Sequence, residues 1–347
     1  MLTRAAILVE QQKPLVVADI ELPDELAAGQ VRVRVHHSGV CGSQLGEIAG
    51  VKGPDKWLPH LLGHEGGAVV EAVGPGVRHV TAGDHVVMHW RKGAGIDAAP
   101  ATYRWGGKTV NSGCITTFNR HAVVSENRLT KIPGSTPLDL AALFGCPVPT
   151  GMGVVENNAR LKPGQSIVVW GAGGVGLSII QAAALTSAHP IIAIDLHDAR
   201  LDLAEQLGAT HRVNAADQSP AETAAAVAAL LPAPPDVVVD NTGRPDLIRC
   251  CYDLTSSTGR TILVGVPRAG ADTTLHTLPL HFEKRLLGSH GGEANPVRDI
   301  PRYLRLLDAG LLKLKPLITK RYPLDGINDA LDDLRTGALA GRAIIDL

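Results

Sequence analysis

The chain has 347 residues, with Lys+Arg 33 against Asp+Glu 34, apolar residues at 45% and charged ones at 19%. That length suits two domains of about 100 to 200 residues each, and so balanced and apolar a chain is neither intrinsically disordered nor a generic nucleic-acid or polyanion binder. It contains no uncharged apolar run of about 18 residues, and Glu10 and Lys13 break its first apolar stretch, so neither a membrane span nor a secretory signal is expected and a cytoplasmic location is.

Up to about residue 150 the chain reads as short strands cut by Gly, Pro and Asp. Residues 31–38 (VRVRVHHS) alternate at period two, 67–74 (GAVVEAVG) are rich in β-branched side chains, and 83–90 (GDHVVMHW) follow a turn signal. Residues 91–113 read as a long surface excursion, rich in Gly and Lys. Beyond residue 150 continuous apolar runs appear at 166–171, 190–195, 236–240 and 259–265, as in parallel strands buried on both faces. Helical stretches at 174–186, 197–208 and 219–231 separate them, the last opening on Ser219, Pro220 and Glu222 as a helix start should. This alternation predicts a doubly wound sheet. After about Gly288 it stops, and helices at 300–312 and 327–337 lead to a terminal strand at 342–347. The expected layout is a β-rich domain over 1–149, completed by 290–347, around a dinucleotide-binding domain over 150–289.

Gly171, Gly173 and Gly176 form G-A-G-G-V-G between a predicted strand and a predicted helix, and Asp195 closes the next strand. In that context the glycines permit a tight turn and close approach of a pyrophosphate to a helix N-terminus. A carboxylate at Asp195 accepts hydrogen bonds from a ribose 2′-hydroxyl and repels a 2′-phosphate, which favours NAD over NADP.

Five cysteines, odd in number and widely scattered, make a poor disulfide framework. Cys41, His64 and Cys146 together offer two thiolates and an imidazole, a donor set suited to Zn²⁺ with a fourth position open. Their spacing matches no compact zinc knuckle, and taken singly each is more readily read as a buried core side chain than as a ligand.

The SGVCGSQ, LLGHEGG and LFGCPVPTG segments, the glycine motif and the ending DAGLLKLKPLITKRYPLDGINDALDDLRTG resemble the zinc-dependent medium-chain alcohol dehydrogenase family over nearly the whole chain. The final third is most similar to its glutathione-dependent formaldehyde dehydrogenase branch. The resemblance implies a GroES-like β-rich catalytic domain beside a Rossmann domain, with Cys41, His64 and Cys146 on the catalytic zinc, Glu65 beside the metal and Ser43 passing on the substrate proton. For the cofactor it implies Thr150, Gly174 and Val175 near the nicotinamide or pyrophosphate and Asp195 with Arg200 at the adenosine ribose. It also implies Arg244 near the adenine, Val264 and Val266 at the carboxamide, and Arg342 at the pyrophosphate. Trp90 falls at a substrate-lining position, with His89, Arg91 and Lys92 as polar neighbours, and Trp57 lies in the loop leading to His64.

Some positions depart from the family pattern. The region that often carries four structural-zinc cysteines holds only Cys114, so one zinc per chain is expected. Gly42 stands where His or Arg is common, Gln44 where an acid usually orients the zinc-bound His, and Gly46 where a relay histidine is expected, leaving Glu47 or a cofactor ribose with water to continue the proton path from Ser43. The expected activity is hydride transfer between NAD and a secondary alcohol such as a sugar, polyol or cyclitol derivative, by a homodimer or homotetramer. A zinc-free quinone or enoyl reductase and a non-catalytic NAD-binding protein are the rival readings.

Overall fold

In the strand Gln30–Gly39, Val31, Val33 and Val35 are buried while Arg32 and Arg34 stay accessible, the period-two pattern of a sheet with one face packed. The computed structural model describes residues 1–347. Two units form: Met1–Cys146 with Asn295–Leu306 and Ile318–Leu347, and Pro147–Ala294 with Leu307–Leu317.

The first unit holds two β-structures. Leu2–Leu8, Val16–Glu21, Thr102–Trp105, Lys108–Asn111 and His60–Leu61 close into a small barrel. In the second sheet the order is Leu129–Lys131, His85–His89, Glu65–Val73, Gln30–Gly39, Arg342–Asp346, Ile318–Pro323, and His121–Ser125 also pairs with Gln30–Gly39. Val31, Val33, Val35, Val70, Val86 and Met88 pack together as one of its cores.

The second unit is a six-stranded parallel sheet in the order His211–Asn214, Ile191–Asp195, Ile167–Trp170, Val237–Asp240, Arg260–Leu263, Arg285–Gly288. Numbered along the chain this is 3-2-1-4-5-6, the doubly wound dinucleotide-binding order with its switch point beside Ile167–Trp170. The apolar runs form its inner strands because both faces are covered: all four residues of Ile167–Trp170 and of Val237–Asp240 are buried. Helix Pro220–Ala229 starts as its sequence signals: Ser219 Oγ accepts the Glu222 N–H at 3.3 Å and the Glu222 carboxylate accepts the Ser219 N–H at 2.8 Å.

Two expectations need correction. Residues 91–113 are not one surface excursion, because Thr102–Trp105 and Lys108–Asn111 pair as a hairpin and close the barrel. The turn is Gly106–Gly107, with φ of 54° and 79°, the two positive values that a two-residue hairpin of matching twist requires. Residues 290–347 do not all complete the first unit either. Leu307–Leu317 packs with the second, where the Gln181 side chain accepts the Lys313 N–H and donates to the Lys313 carbonyl.

Candidate metal and cofactor sites

Three distant segments of the first unit supply one cluster. Cys41 ends the loop after Gln30–Gly39 and is the N-cap of helix Gly42–Ala49, His64 immediately precedes Glu65–Val73, and Cys146 follows helix Leu138–Leu143. Their ligand atoms all lie within 4.8 Å of one another, and the sulfurs of Cys41 and Cys146 are 4.0 Å apart. Hydrogen bonding between the sulfurs holds the Cys41 thiol well below its usual range and pushes Cys146 well above it, so the metal-free pair shares a proton. Burial disfavours charge on His64, but the Cys41 sulfur beside it outweighs that and raises its pKa. Two soft donors and an imidazole at this spacing fit Zn²⁺ with one coordination position left over. Cys146 is buried, and Cys41 and His64 are partly accessible.

Glu65 and Arg342 stand directly behind it. Glu65 is fully buried, and burial pushes its carboxyl up to about 7 against the pull of Arg342. Arg342 donates from Nη1 to the Val40 carbonyl at 2.9 Å, while its Nη2 lies 3.7 Å from Glu65 Oε1. That is too long for a hydrogen bond, and both Glu65 oxygens and Arg342 Nε and Nη2 lack partners. Arg342, expected at the pyrophosphate, thus lies in the first unit beside the thiols. Gln44, buried in the first turn of its helix, contacts both the Cys41 backbone and the His64 ring. Ser43 is exposed on that turn, Gly46 offers no side chain, and Glu47 lies one residue beyond.

The aromatic candidates separate. Trp90 is half-buried at the end of His85–His89, with the Arg91 guanidinium 5.7 Å from its ring centroid and its carbonyl accepting from Arg128. His89 does not join it. That ring is buried, Nδ1 lies 2.7 Å from the Arg91 carbonyl and Nε2 lies 2.9 Å from Thr130 Oγ1, and burial lowers its pKa to about 4. Lys92 pairs with Asp97 at 2.6 Å. Trp57 is 61% exposed with Lys56 5.1 Å from its ring. Its loop is held by Asp55, whose carboxylate accepts the Trp57 N–H at 2.8 Å and pairs with His60 at 2.8 Å.

Gly171 to Gly176 cross from strand Ile167–Trp170 into helix Gly174–Leu185. Gly171 has φ 96°, and a Cβ on Gly176 would lie 1.9 Å from the Gly171 carbonyl, so both positions require glycine. Gly173 is the helix N-cap, with Gly174 and Val175 in its first turn, which directs free N–H groups at whatever anion approaches. Asp195 is buried at the end of its strand: Oδ2 accepts the Ala172 N–H at 2.8 Å, Oδ1 accepts those of Leu196 at 2.8 Å and His197 at 3.2 Å, and Arg200 Nη1 is 3.5 Å away. Asp240, which the sequence reading missed, ends Val237–Asp240 and accepts from Thr242 N, Thr242 Oγ1 and Gly243 N. Val264 donates its N–H to the Asp240 carbonyl at 2.8 Å, Val266 is 72% exposed, Thr150 is buried in helix Pro147–Gly153, and Arg244 is paired with Asp246 at 2.6 Å.

Residues 27–134 match the family described as alcohol dehydrogenase GroES-like domain, and residues 174–309 match zinc-binding dehydrogenase. Together with the fold they define an oxidoreductase that uses zinc and a nicotinamide dinucleotide. An NDMA-dependent alcohol dehydrogenase of Amycolatopsis methanolica is 32% identical over 97% of this chain and 97% of its own. An S-(hydroxymethyl)glutathione dehydrogenase of Paracoccus denitrificans is 30% identical over 97% and 98%. The solved benzyl alcohol dehydrogenase of Acinetobacter calcoaceticus superimposes with a TM-score of 0.88 at 28% identity, over 100% of this chain and 99% of that one. The chain therefore belongs to the zinc-type medium-chain alcohol dehydrogenase family, and is an NAD- and zinc-dependent enzyme of alcohol and carbonyl oxidoreduction. No helix is long and apolar enough to cross a membrane.

Proposed function

We propose that the enzyme interconverts a secondary alcohol on a polyhydroxylated ring or chain, such as a sugar or cyclitol derivative, with the corresponding ketone. The observation that carries the chemistry is the convergence of Cys41, His64 and Cys146 within 4.8 Å. These three residues would hold one zinc per chain, which would supply Lewis-acid polarisation of the substrate oxygen. Glu65 and Arg342 form a buried charge pair behind the ligands. Ser43, exposed on the first turn after Cys41, takes the hydroxyl proton at Oγ, and with Gly46 in the relay position Glu47 is the protein group placed to receive it next. Asp195 with Arg200 reads the adenosine ribose, the N-terminus of helix Gly174–Leu185 meets the pyrophosphate, and Thr150, Arg244, Val264 and Val266 complete the cofactor contacts within the second unit.

Trp90 carries the substrate class. Its ring offers apolar area to sugar C–H groups, and the Arg91 cation beside it can bind hydroxyls or an anionic substituent. Trp57, exposed on its tied loop, supplies a second such face.

The edge of the parallel sheet supports assembly as a homodimer or homotetramer. Arg285–Gly288 is paired on one side only, and Leu278, Leu280, Phe282 and Leu287 are exposed on it or just before it, an edge that a second copy would cover.

NADH formation across simple alcohols, the glutathione adduct of formaldehyde, sugars and cyclitols tests the reading. The expected result is the highest kcat/KM on a polyol. The relative from Paracoccus denitrificans makes the glutathione adduct the specific competitor, and a kcat/KM for it far above every polyol rejects the proposed substrate class.

A further inference from the structure

Helix Gly42–Ala49 starts against the thiol cluster, and the N–H groups of its first turn need acceptors from outside the helix. Gln44 provides one by folding back. Its Oε1 accepts the Cys41 N–H at 2.9 Å, and its Nε2 lies 2.6 Å from His64 Nδ1. The side chain is 1% exposed, so water does not substitute for either partner.

An amide presents one accepting atom and one donating atom. With the oxygen engaged by Cys41, only the NH₂ group faces the ring, so His64 Nδ1 accepts and the imidazole hydrogen sits on Nε2. Nε2 is the nitrogen left for the thiols. A neutral imidazole that ligates a metal through Nε2 must carry its hydrogen on Nδ1 and donate it to an acceptor. Turning the amide over supplies that acceptor but sets NH₂ against the Cys41 N–H. One amide therefore cannot satisfy both neighbours in the metal-loaded state, whereas a carboxylate of the same shape accepts from both.

We propose that Gln44 is a positioning residue that weakens the grip of the metal site: it fixes the Cys41 turn and the His64 ring, yet leaves the loaded site one hydrogen bond short and adds no negative charge. This inference rests on the zinc reading above. It predicts a metal held less tightly, and neutralised less, than the same three ligands backed by a carboxylate.

The test compares the full-length enzyme with Gln44→Glu and Gln44→Leu at pH 7.5, reading the zinc dissociation constant by competition with a chromophoric chelator. The nitrogen chemical shifts of His64 in the zinc-free proteins report the tautomer. Gln44→Glu should bind zinc about 10- to 100-fold more tightly, with the hydrogen on Nδ1, while the unmodified protein shows it on Nε2. Equal or weaker zinc binding by a Gln44→Glu protein of unchanged melting temperature overturns the inference, and so does an Nδ1–H tautomer in the unmodified zinc-free protein. Gln44→Leu should not bind more tightly than the unmodified chain; if it matches Gln44→Glu, the hydrogen-bond argument fails. If the unmodified enzyme takes up no zinc at all, the zinc reading itself is rejected, an outcome distinct from equal affinities.

Discussion

Asp195 Oδ2 accepts the backbone N–H of Ala172 at 2.8 Å, so the side chain proposed to read the ribose also fastens the glycine turn proposed to hold the pyrophosphate. Specificity and turn geometry are coupled through one carboxylate. Asp195→Ser removes the charge that disfavours a 2′-phosphate and leaves the Arg200 cation near the same place. The NAD preference should fall by about tenfold or more, the factor that about 1.4 kcal/mol of like-charge contact represents. The Kd of NAD itself should also rise, because the Ala172, Leu196 and His197 N–H groups lose their acceptor. Fluorescence titration with both cofactors checks this, and equal use of NADP by the unmodified enzyme contradicts it.

The metal and dinucleotide residues belong to different units, with Cys41, His64 and Cys146 in one and Gly171 to Asp195 in the other. Cys146→Ser should lower kcat/KM by at least about a hundredfold, since metal polarisation contributes several kcal/mol, while NAD binding stays within error. Elemental analysis should give one zinc per chain in the unmodified protein. Two zinc ions per chain, or undiminished turnover in the variant, speaks against the assignment.

Glu126 ties down the segment just before the barrel hairpin. Its carboxylate is 1% exposed, Oε1 accepts the Arg78 N–H at 2.7 Å and the His79 N–H at 2.8 Å, and Oε2 accepts the Ile96 N–H at 2.7 Å. Glu126→Gln keeps one oxygen but turns NH₂ toward one of those donors, at about 2 kcal/mol of stability. Limited proteolysis should then cut within 91–101 in the variant and leave the unmodified chain intact. Burial raises the Glu126 pKa, yet the three backbone bonds outweigh it and the net shift is downward. Its stabilisation is therefore present above the unfolded carboxylate pKa and is lost as pH falls through the lower folded value.

How much of this was legible depended on how local each signal was. Ile167–Trp170 and Val237–Asp240 announce themselves because every residue is apolar or closes the strand, and burial on both faces leaves no other reading. The barrel did not, since His60–Leu61 is two residues long and Thr102–Trp105 and Lys108–Asn111 are four each, too short for periodicity to register. Gly106–Gly107 was the signal available there, a paired glycine between two short β-prone runs. The metal cluster joins three points far apart in the chain, so spacing said nothing and the resemblance supplied the grouping. The Glu65–Arg342 pair and the Glu126 knot are tertiary contacts between residues that carry no local pattern.

His89 makes a separate prediction about pH. Its folded pKa is about 4, against a usual value of 6.5, because burial disfavours the charged ring more than its hydrogen bond to the Arg91 carbonyl favours it. Below 6.5 the unfolded chain takes up a proton that the folded chain refuses, so stability falls as pH drops from about 6.5 toward 4. The loss approaches about 3 kcal/mol at the lower end. His89→Gln should flatten that part of the profile in urea titrations run from pH 7 to pH 4. A variant profile parallel to that of the unmodified protein excludes His89 as the source.

The last prediction concerns substrate choice at Trp90. The indole is half-buried, its backbone carbonyl is held by Arg128, and the Arg91 guanidinium lies 5.7 Å from its ring centroid, so ring and cation are presented together on a fixed turn. Stacking against a sugar ring is worth about 1 kcal/mol, and losing it should reduce kcat/KM about five- to tenfold for polyols. A small alcohol has too little C–H surface to feel the same loss. Trp90→Ala should therefore lower polyol kcat/KM, chiefly through KM, and leave that of ethanol or propan-2-ol within about twofold. Arg91→Met keeps the apolar stem without the charge, so it should weaken substrates bearing an anionic substituent more than neutral cyclitols. Because His89 is internally satisfied and Lys92 is paired with Asp97, neither is expected to replace that contribution. If Trp90→Ala slows every substrate by one common factor, the indole acts through folding or metal geometry and does not select the substrate. If it raises activity on bulky alcohols while polyols are unaffected, Trp90 limits the size of the substrate and does not bind sugar.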